Sequence, residues 1–397
     1  MRVLILTKIF PNRLEPLSSP FNRQQFSRLS RLCEVHILAT IPWFPGAKAF
    51  SRWSRAGRLS GVPKHDRIDG VEVEHPRFMF IPRVAPSLSG PLYAASVAST
   101  ALRYRGKVDV VLGSWAYPDG FAAVLLGRML RVPAVIKLHG SDMNVVARLA
   151  GPRRALKWAL PRAERIVAVS DPLRVAAIEL GAAPQRVDVV PNGIDRSRFR
   201  PDDKVAARRA LELPLERAIV LYVGNVEAHK GSLDLIQGLA DLAKHKKDVS
   251  LVIVGGGAAL SECRDLATRL GVDVSFVGPK PHDEIPRWIA ACDVFTLPSW
   301  NEGTPNVVLE ALACGRRVVA TRVGGTPAVV ASDTLGILVP PRNPPALAAA
   351  LDRALTQSFD AATVSAALSA PDWQESALRL HESLARACEA GSSRAAA

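Results

Sequence analysis

Along the chain, short wholly apolar runs alternate with segments in which apolar residues recur every three or four positions. The runs predict strands buried on both faces, and the periodic segments predict helices with one buried stripe. In the first half the runs cover residues 3–7, 35–39, 108–113, 132–138, 166–170 and, with a single acid, 187–190, and the alternating Val71-Glu72-Val73-Glu74 opens a further strand at 71–77. In the second half they cover 218–223, 251–254, 274–277, 294–297, 317–321 and 338–339. Helical spacing falls at 21–32, 120–130, 148–165, from Ser232 onward, and at 285–292, 345–354 and 372–388. Strands that alternate with helices predict an α/β fold with parallel sheets, and 397 residues suggest about two domains. The expected division is 1–195, 196–371, and a closing segment 372–397 made of a helix and a frayed tail from Glu389. The linker is expected from the turn sequence Pro191-Asn192-Gly193-Ile194-Asp195 through roughly Pro201, and residues 10–21 and 79–90 read as connections.

Residues 291–315 hold the most informative break in this rhythm. The strand Val294–Leu297 ends at Pro298-Ser299, and a helix is expected to begin with Thr304 as its cap and Pro305 in its first position. Glu302 lies just ahead of the cap and Glu310 inside the helix, so both carboxylates could point to the carboxyl end of the strand, where open α/β sheets bind ligands. A carboxylate accepts two hydrogen bonds, a vicinal diol supplies two, and the amides from Gly303 to Val307 could receive an anion. An anion beside two diol-binding acids describes a nucleotide sugar; the plainer alternative is a surface acid next to a capped helix.

Other strand ends carry chemistry of the same kind. His139-Gly140-Ser141-Asp142 follows the strand at 132–138, placing a histidine where few core residues sit and an acid that opens a helix. Gly224, Asn225, Lys230 and Gly231 follow the strand at 218–223, and a lysine in such a turn can direct its ammonium at a phosphate. Gly255-Gly256-Gly257 follows the next strand and permits close approach of backbone to a ligand.

Charge adds a partner. The net charge is +14, and the excess lies wholly in residues 1–195. Residues 42–64 interleave Trp43, Phe44, Phe50 and Trp53 with Lys48, Arg52, Arg55 and Arg58, and residues 148–165 add Arg153, Arg154 and Lys157 on a partly amphipathic segment. Rings and cations together suit an anionic membrane surface; the alternatives are a long loop at 42–64 whose aromatics fold back onto the domain, and a solvated helix face at 148–165. Five scattered cysteines without metal-ligand spacing fit a reducing compartment, and the apolar run at the N-terminus stops at Lys8, too soon for a signal peptide. The expected place is the cytoplasm, peripheral on the inner face of the membrane. No metal site or cofactor is expected.

The motif Glu302-Gly303-Thr304-Pro305-Asn306-Val307-Val308-Leu309-Glu310, followed by Ala311-Leu312-Ala313-Cys314-Gly315, resembles the signature of family 4 glycosyltransferases. Phe10-Pro11 with Phe21 and Gln25, His139 to Asp142, Pro191 to Asp195, Gly224 to Gly231, Gly255 to Gly257 and Val323-Gly324-Gly325 are similar to the family's other motifs. The resemblance implies a GT-B architecture, two Rossmann-like parallel-sheet domains facing across a cleft, with the acceptor on the first and the nucleotide sugar on the second. It implies metal-independent, retaining transfer of a hexose from a UDP- or GDP-sugar. Glu310 would then hold the donor ribose and Glu302 the transferred sugar, with His139 near the reacting centre. Lys230 and the amides around Gly303–Pro305 would hold the diphosphate, with Asn225, Gly256 and Asn306 also on the donor side and Pro20, Phe21 and Asp142 on the acceptor side. Asn225 stands where the family often has arginine, and Ser18-Ser19-Pro20-Phe21 lacks a customary glycine, so contacts at both points can differ.

The leading expectation is therefore transfer of a hexose to a lipid-linked or polysaccharide acceptor. The alternatives are a soluble small-molecule acceptor or an inactive scaffold that binds sugar nucleotides. A nucleic-acid-binding protein lacks any supporting motif, and a dehydrogenase lacks the glycine fingerprint and its ribose-binding acid.

Overall fold

The computed structural model describes residues 1–79, 89–246 and 248–396. They form two compact units, Met1–Gly193 with Trp373–Ala397, and Ile194–Asp372. The expected connection at 79–90 falls largely outside the described residues.

In the first unit eight described strands lie in the order Val187–Val189, Arg165–Ala168, Ala134–Leu138, Val110–Ser114, Arg2–Thr7, Glu34–Ala39, Val71–Glu74 and His65–Ile68. All neighbours are parallel except the last pair, whose register runs antiparallel from His65 opposite Glu74. Chain order reverses between Arg2–Thr7 and Val110–Ser114, and such a switch point leaves a crevice beyond the strand ends. Val3, Ile5, Val35 and Ile37 pack on one face with Phe26 of the helix Pro20–Leu29, while Leu4, Leu6 and Leu38 pack on the other with Tyr93 and Val97 of the helix Ser89–Leu102. Alternating side chains of one strand thus serve two cores, which is why Val3 to Leu6 are apolar on both sides.

The expected frayed tail is not present as such, because the last helix runs Trp373–Ala396. Leu380, Leu384 and Ala387 bury themselves in the first unit's core, Ser383 Oγ donates to Asp188 at 2.7 Å, and Gly391 lies against Pro133. Packing of this stripe carries the helix past the point where composition alone suggested fraying.

In the second unit the strands lie in the order Val274–Gly278, Val249–Val254, Ala218–Val223, Val294–Leu297, Val318–Thr321 and Gly336–Val339, all parallel. The switch point falls between Ala218–Val223 and Val294–Leu297, the two strands followed by Lys230 and Glu302. Ile194 forms a bridge with Asp372, its amide donating to Pro371 O at 3.0 Å, so the chain enters and leaves this unit at adjacent residues.

Candidate functional site

Two loops meet at the switch point of the second unit. Trp300 N donates to His229 O at 2.9 Å, and Trp300 Nε1 donates to Asp234 at 2.6 Å. Gly231 has φ +70°, and a Cβ there would lie 2.0 Å from Pro298 O, so only glycine lets the backbones close to this distance. The result is that Lys230 Nζ donates to Glu302 Oε1 at 2.8 Å, with both side chains largely buried. The loop holding Glu302 is tied on its other side by Gly325 N, which donates to Gly303 O at 2.8 Å.

The following helix is Asn306–Ala313 with Pro305 as its cap residue, one position later than the expected Thr304 cap with Pro305 inside. Proline lacks the amide that an N1 residue leaves unpaired anyway, but here its ψ of 89° is non-helical and the helix starts after it. Glu310 lies on this helix, and its Oε1 is 2.8 Å from His282 Nε2. The His282 ring in turn lies 5.2 Å from the Phe199 ring. His282 stands in the turn after the strand Val274–Gly278, and that position at another strand end is its signal in the sequence.

The glycine triplet has a different use from the one expected. A Cβ on Gly255 would lie 1.9 Å from Gly224 O, and one on Gly257 would lie 2.2 Å from Val226 O. The backbone that approaches these two is the neighbouring loop's own, which packs the turns together. At Gly256 a Cβ would meet the Pro279 ring, with Cγ at 3.3 Å and Cδ at 3.6 Å. Asn225 is exposed, and its carbonyl accepts from Tyr222 Oη at 2.7 Å.

In the first unit the strand ends gather a second group. His139 Nε2 lies 2.9 Å from Ser114 Oγ, and the imidazole is flanked by Phe21 at 5.0 Å and by Trp115 at 5.8 Å, the latter nearly parallel. Burial, with Lys137 nearby, lowers the His139 pKa well below the usual histidine value, so the ring is neutral at pH 7. Phe21 is held by the helix Pro20–Leu29, which starts with Pro20 after Ser19 in a left-handed conformation of φ 49°.

Asp142, expected on the acceptor side, faces inward instead. It is fully buried, and its carboxylate accepts from the backbone N–H groups of Ala116 at 2.9 Å, Gly140 at 2.7 Å, and His139 and Met143 at 3.1 Å. Burial raises its pKa while these four donors oppose the rise. The carboxylate therefore fixes the loop that carries His139 and has no lone pair directed outward for a ligand.

Lys137 was hidden inside an apolar run. It is fully buried, donates to Gln25 Oε1 and lies 5.7 Å from the Phe26 ring. Gln25 Nε2 donates to Ser376 Oγ at 2.9 Å, and Ser376 Oγ donates to Pro191 O at 2.7 Å. Burial pushes the Lys137 ammonium down to about 7, with Asp142 opposing. An unfolded lysine titrates near its ordinary ~10.4, so the unfolded chain holds more protons between about pH 7 and 10 and stability rises with pH across that window. Lys137→Met is expected to stabilise the protein at pH 7 by about 1–3 kcal/mol and to flatten that rise, as read from urea midpoints at pH 7 and pH 9.

The proposed membrane-facing residues split. Trp53 is 79% exposed, Trp43 and Arg52 are exposed, and Arg153, Arg154 and Lys157 lie on the outer side of the helix Ala150–Ala159. Arg55 instead pairs with Glu15 at 2.7 Å. Among the described residues no helix is long and apolar enough to cross a membrane, and no group of three or more His, Cys, Asp or Glu is arranged to hold a metal ion.

Comparison with known proteins matches residues 11–198 to Glycosyltransferase Family 4 and residues 217–357 to Glycosyl transferases group 1. The putative teichuronic acid biosynthesis glycosyltransferase TuaC of Bacillus subtilis is 29% identical over 89% of each chain. A D-inositol 3-phosphate glycosyltransferase of Salinispora tropica is 31% identical over 76% of this chain and 69% of its own. Further relatives of that description match over about half of their own length. In fold, the chain is similar to Anabaena Alr3699/HepE in complex with UDP-glucose, with a TM-score of 0.72 at 22% identity over 97% of this chain and 99% of that one.

Proposed function

The chain belongs to the family 4 glycosyltransferases, with the GT-B architecture of two Rossmann-like units, and from that we propose retaining transfer of a hexose from a nucleoside diphosphate sugar to an acceptor hydroxyl. The observation that carries the donor assignment is the Lys230–Glu302 contact of 2.8 Å at the switch point of the second sheet, with Glu310 on the helix that follows. Departure of a nucleoside diphosphate develops negative charge on its β-phosphate oxygens. The Lys230 ammonium and the amides of Gly303, Thr304 and Asn306 supply compensating positive charge, while Glu302 takes hydroxyls of the sugar and Glu310 those of the ribose. As the leaving phosphate separates, the acceptor hydroxyl attacks the anomeric carbon from the same face and gives its proton to that phosphate. The neutral His139 serves the sugar as a hydrogen-bonding group rather than as a charge.

Glu310 is held by His282 in the resting structure, and the ribose diol would replace that partner. Glu310→Gln should weaken UDP or GDP binding about tenfold to a hundredfold by calorimetry, since hydrogen bonds to a charged acceptor contribute about 1.5–3 kcal/mol. The test of the whole reading is a donor screen by calorimetry with UDP- and GDP-hexoses, followed by turnover with and without EDTA. No turnover despite tight binding would leave an inactive scaffold, and loss of turnover in EDTA would overturn the metal-independent mechanism.

For the acceptor, relatives named for D-inositol 3-phosphate support a soluble small molecule better than the lipid-linked glycan that charge suggests. A lipid-linked or polysaccharide acceptor at the inner membrane face remains the second reading. It is favoured by TuaC's description and by the exposed Trp43, Phe50 and Trp53 beside cationic Lys48 and Arg52. Salt-sensitive binding to anionic vesicles, weakened when Arg52, Arg153, Arg154 and Lys157 are neutralised, separates the two.

A further inference from the structure

The first unit contains a cavity of about 400 Å³ that neither assigned group occupies. Its walls include Ile9, Phe44, Phe78, Val146 and Leu149, and the charged residues lining it are Lys8 and Arg55, with no acid among the described lining residues. A pocket of this size and composition suits an apolar ligand with few polar groups.

Its position gives it a direction. Lys8 follows the strand Arg2–Thr7, and Trp115 follows Val110–Ser114, so the two residues stand side by side at the switch point of the first sheet. The Lys8 ammonium lies 5.4 Å from the Trp115 ring centroid, and Trp115 stacks on His139. Within this unit the order is therefore apolar cavity, ammonium, aromatic ring, imidazole. Arg55 is neutralised by Glu15, whereas Lys8 Nζ makes no hydrogen bond or ion pair among the described residues. Burial lowers the Lys8 pKa from the ordinary lysine value, with Arg55 adding to the fall and the carboxylates of Asp119 and Asp142 opposing it. Leu149, on the cavity wall, is exposed.

We infer that this cavity takes the apolar portion of an amphiphilic acceptor whose phosphate sits at Lys8 and whose hydroxyl-bearing end lies toward His139. The inference rests on the glycosyltransferase reading and selects the second acceptor class, a phosphate ester with an aliphatic chain. A soluble polyol phosphate shares the phosphate but leaves the apolar wall unfilled. An alkyl chain removes that wall from water, so chain and phosphate should each contribute separately to affinity.

The test titrates the full chain with decyl phosphate, decanol and inorganic phosphate by calorimetry, with UDP titrated into the same samples. Decyl phosphate should bind once per chain, at least tenfold tighter than decanol and a hundredfold tighter than inorganic phosphate. Lys8→Met should weaken decyl phosphate about tenfold and leave decanol unchanged. Val146→Trp, which fills the cavity, and Leu149→Asp, at an exposed wall position that tolerates the change in folding, should each weaken both alkyl ligands tenfold while UDP binding is retained. Decyl phosphate should also compete with lipid extract as acceptor in turnover of a labelled donor. Absence of saturable decyl phosphate binding, inorganic phosphate binding as tightly, or variants without effect would overturn the inference. Those results with intact UDP binding and transfer to a soluble acceptor would leave the glycosyltransferase reading standing, whereas alkyl phosphate binding without any donor turnover would refute that reading alone.

Discussion

Lys230→Met is expected to lower kcat about 10²- to 10³-fold, the usual effect of removing one preorganised donor that faces developing charge. The loss should exceed the loss in donor affinity, because charge on the β-phosphate grows as the glycosidic bond breaks and the ammonium gains most in the transition state. Lys230→Arg, which keeps the charge but changes its shape, should recover part of the rate. The contact with Glu302 complicates a single substitution, since methionine also leaves a largely buried carboxylate without its cation. Glu302→Gln and the double variant resolve this. If Lys230 acts only by placing Glu302, the double variant will be no slower than Glu302→Gln alone, and the proposed phosphate role is wrong. Donor affinity and single-turnover rates measured on the same four proteins supply both quantities.

Asp142→Ala is expected to destabilise the first unit by about 3–5 kcal/mol, the range seen when a buried charge network loses one partner. Four backbone N–H groups lose their acceptor together. That is a large part of the ~5–15 kcal/mol available to a domain, so the variant should show a separate early transition in urea, before the second unit unfolds. Asp142→Asn keeps one carbonyl oxygen and should lose less. A variant with unchanged unfolding but lost acceptor affinity would instead return Asp142 to the ligand side.

The parts of this architecture that the sequence made legible are those where one physical cause dominates. A strand buried on both faces must be apolar throughout, and Ala218–Val223 and Val294–Leu297 were read to the residue for that reason. The strand His65–Ile68 escaped notice because it is an edge strand with a polar sequence, held by antiparallel pairing with Val71–Glu74. The helix Ser89–Leu102 escaped because its small residues are apolar on nearly all sides and display no stripe. Residues 42–64 looked like one long loop, yet they supply the strand Ile41–Trp43, paired with Arg77–Met79, and the short helix Arg55–Arg58. Their pairing partners lie far along the chain, and periodicity carries no information about them.

The candidate site shows the same division. Glu302, Glu310, Lys230 and His139 stood out because charged or polar residues at strand ends have few structural uses. Asp142 looked alike in sequence and proved to be turned inward, a distinction that depends on where four amides point. Lys137 and Lys8 were passed over for opposite reasons: the first sits within an apolar run, and the second merely ended one. Each became visible once the sheet order brought its neighbours together.

The pairing of Ile194 with Asp372 makes the second unit an insertion within the first, whose last helix is also the last stretch of the described chain. Chains emerge from the ribosome N-terminus first, at ~5–20 residues per second, and domains fold as units when their residues are available. Here the order of synthesis and the order of completion are reversed. Residues 194–372 can close their core while the first 193 still await Leu380, Leu384 and Ala387. A chain cut short before Trp373 therefore loses the integrity of its oldest part and keeps that of its newest.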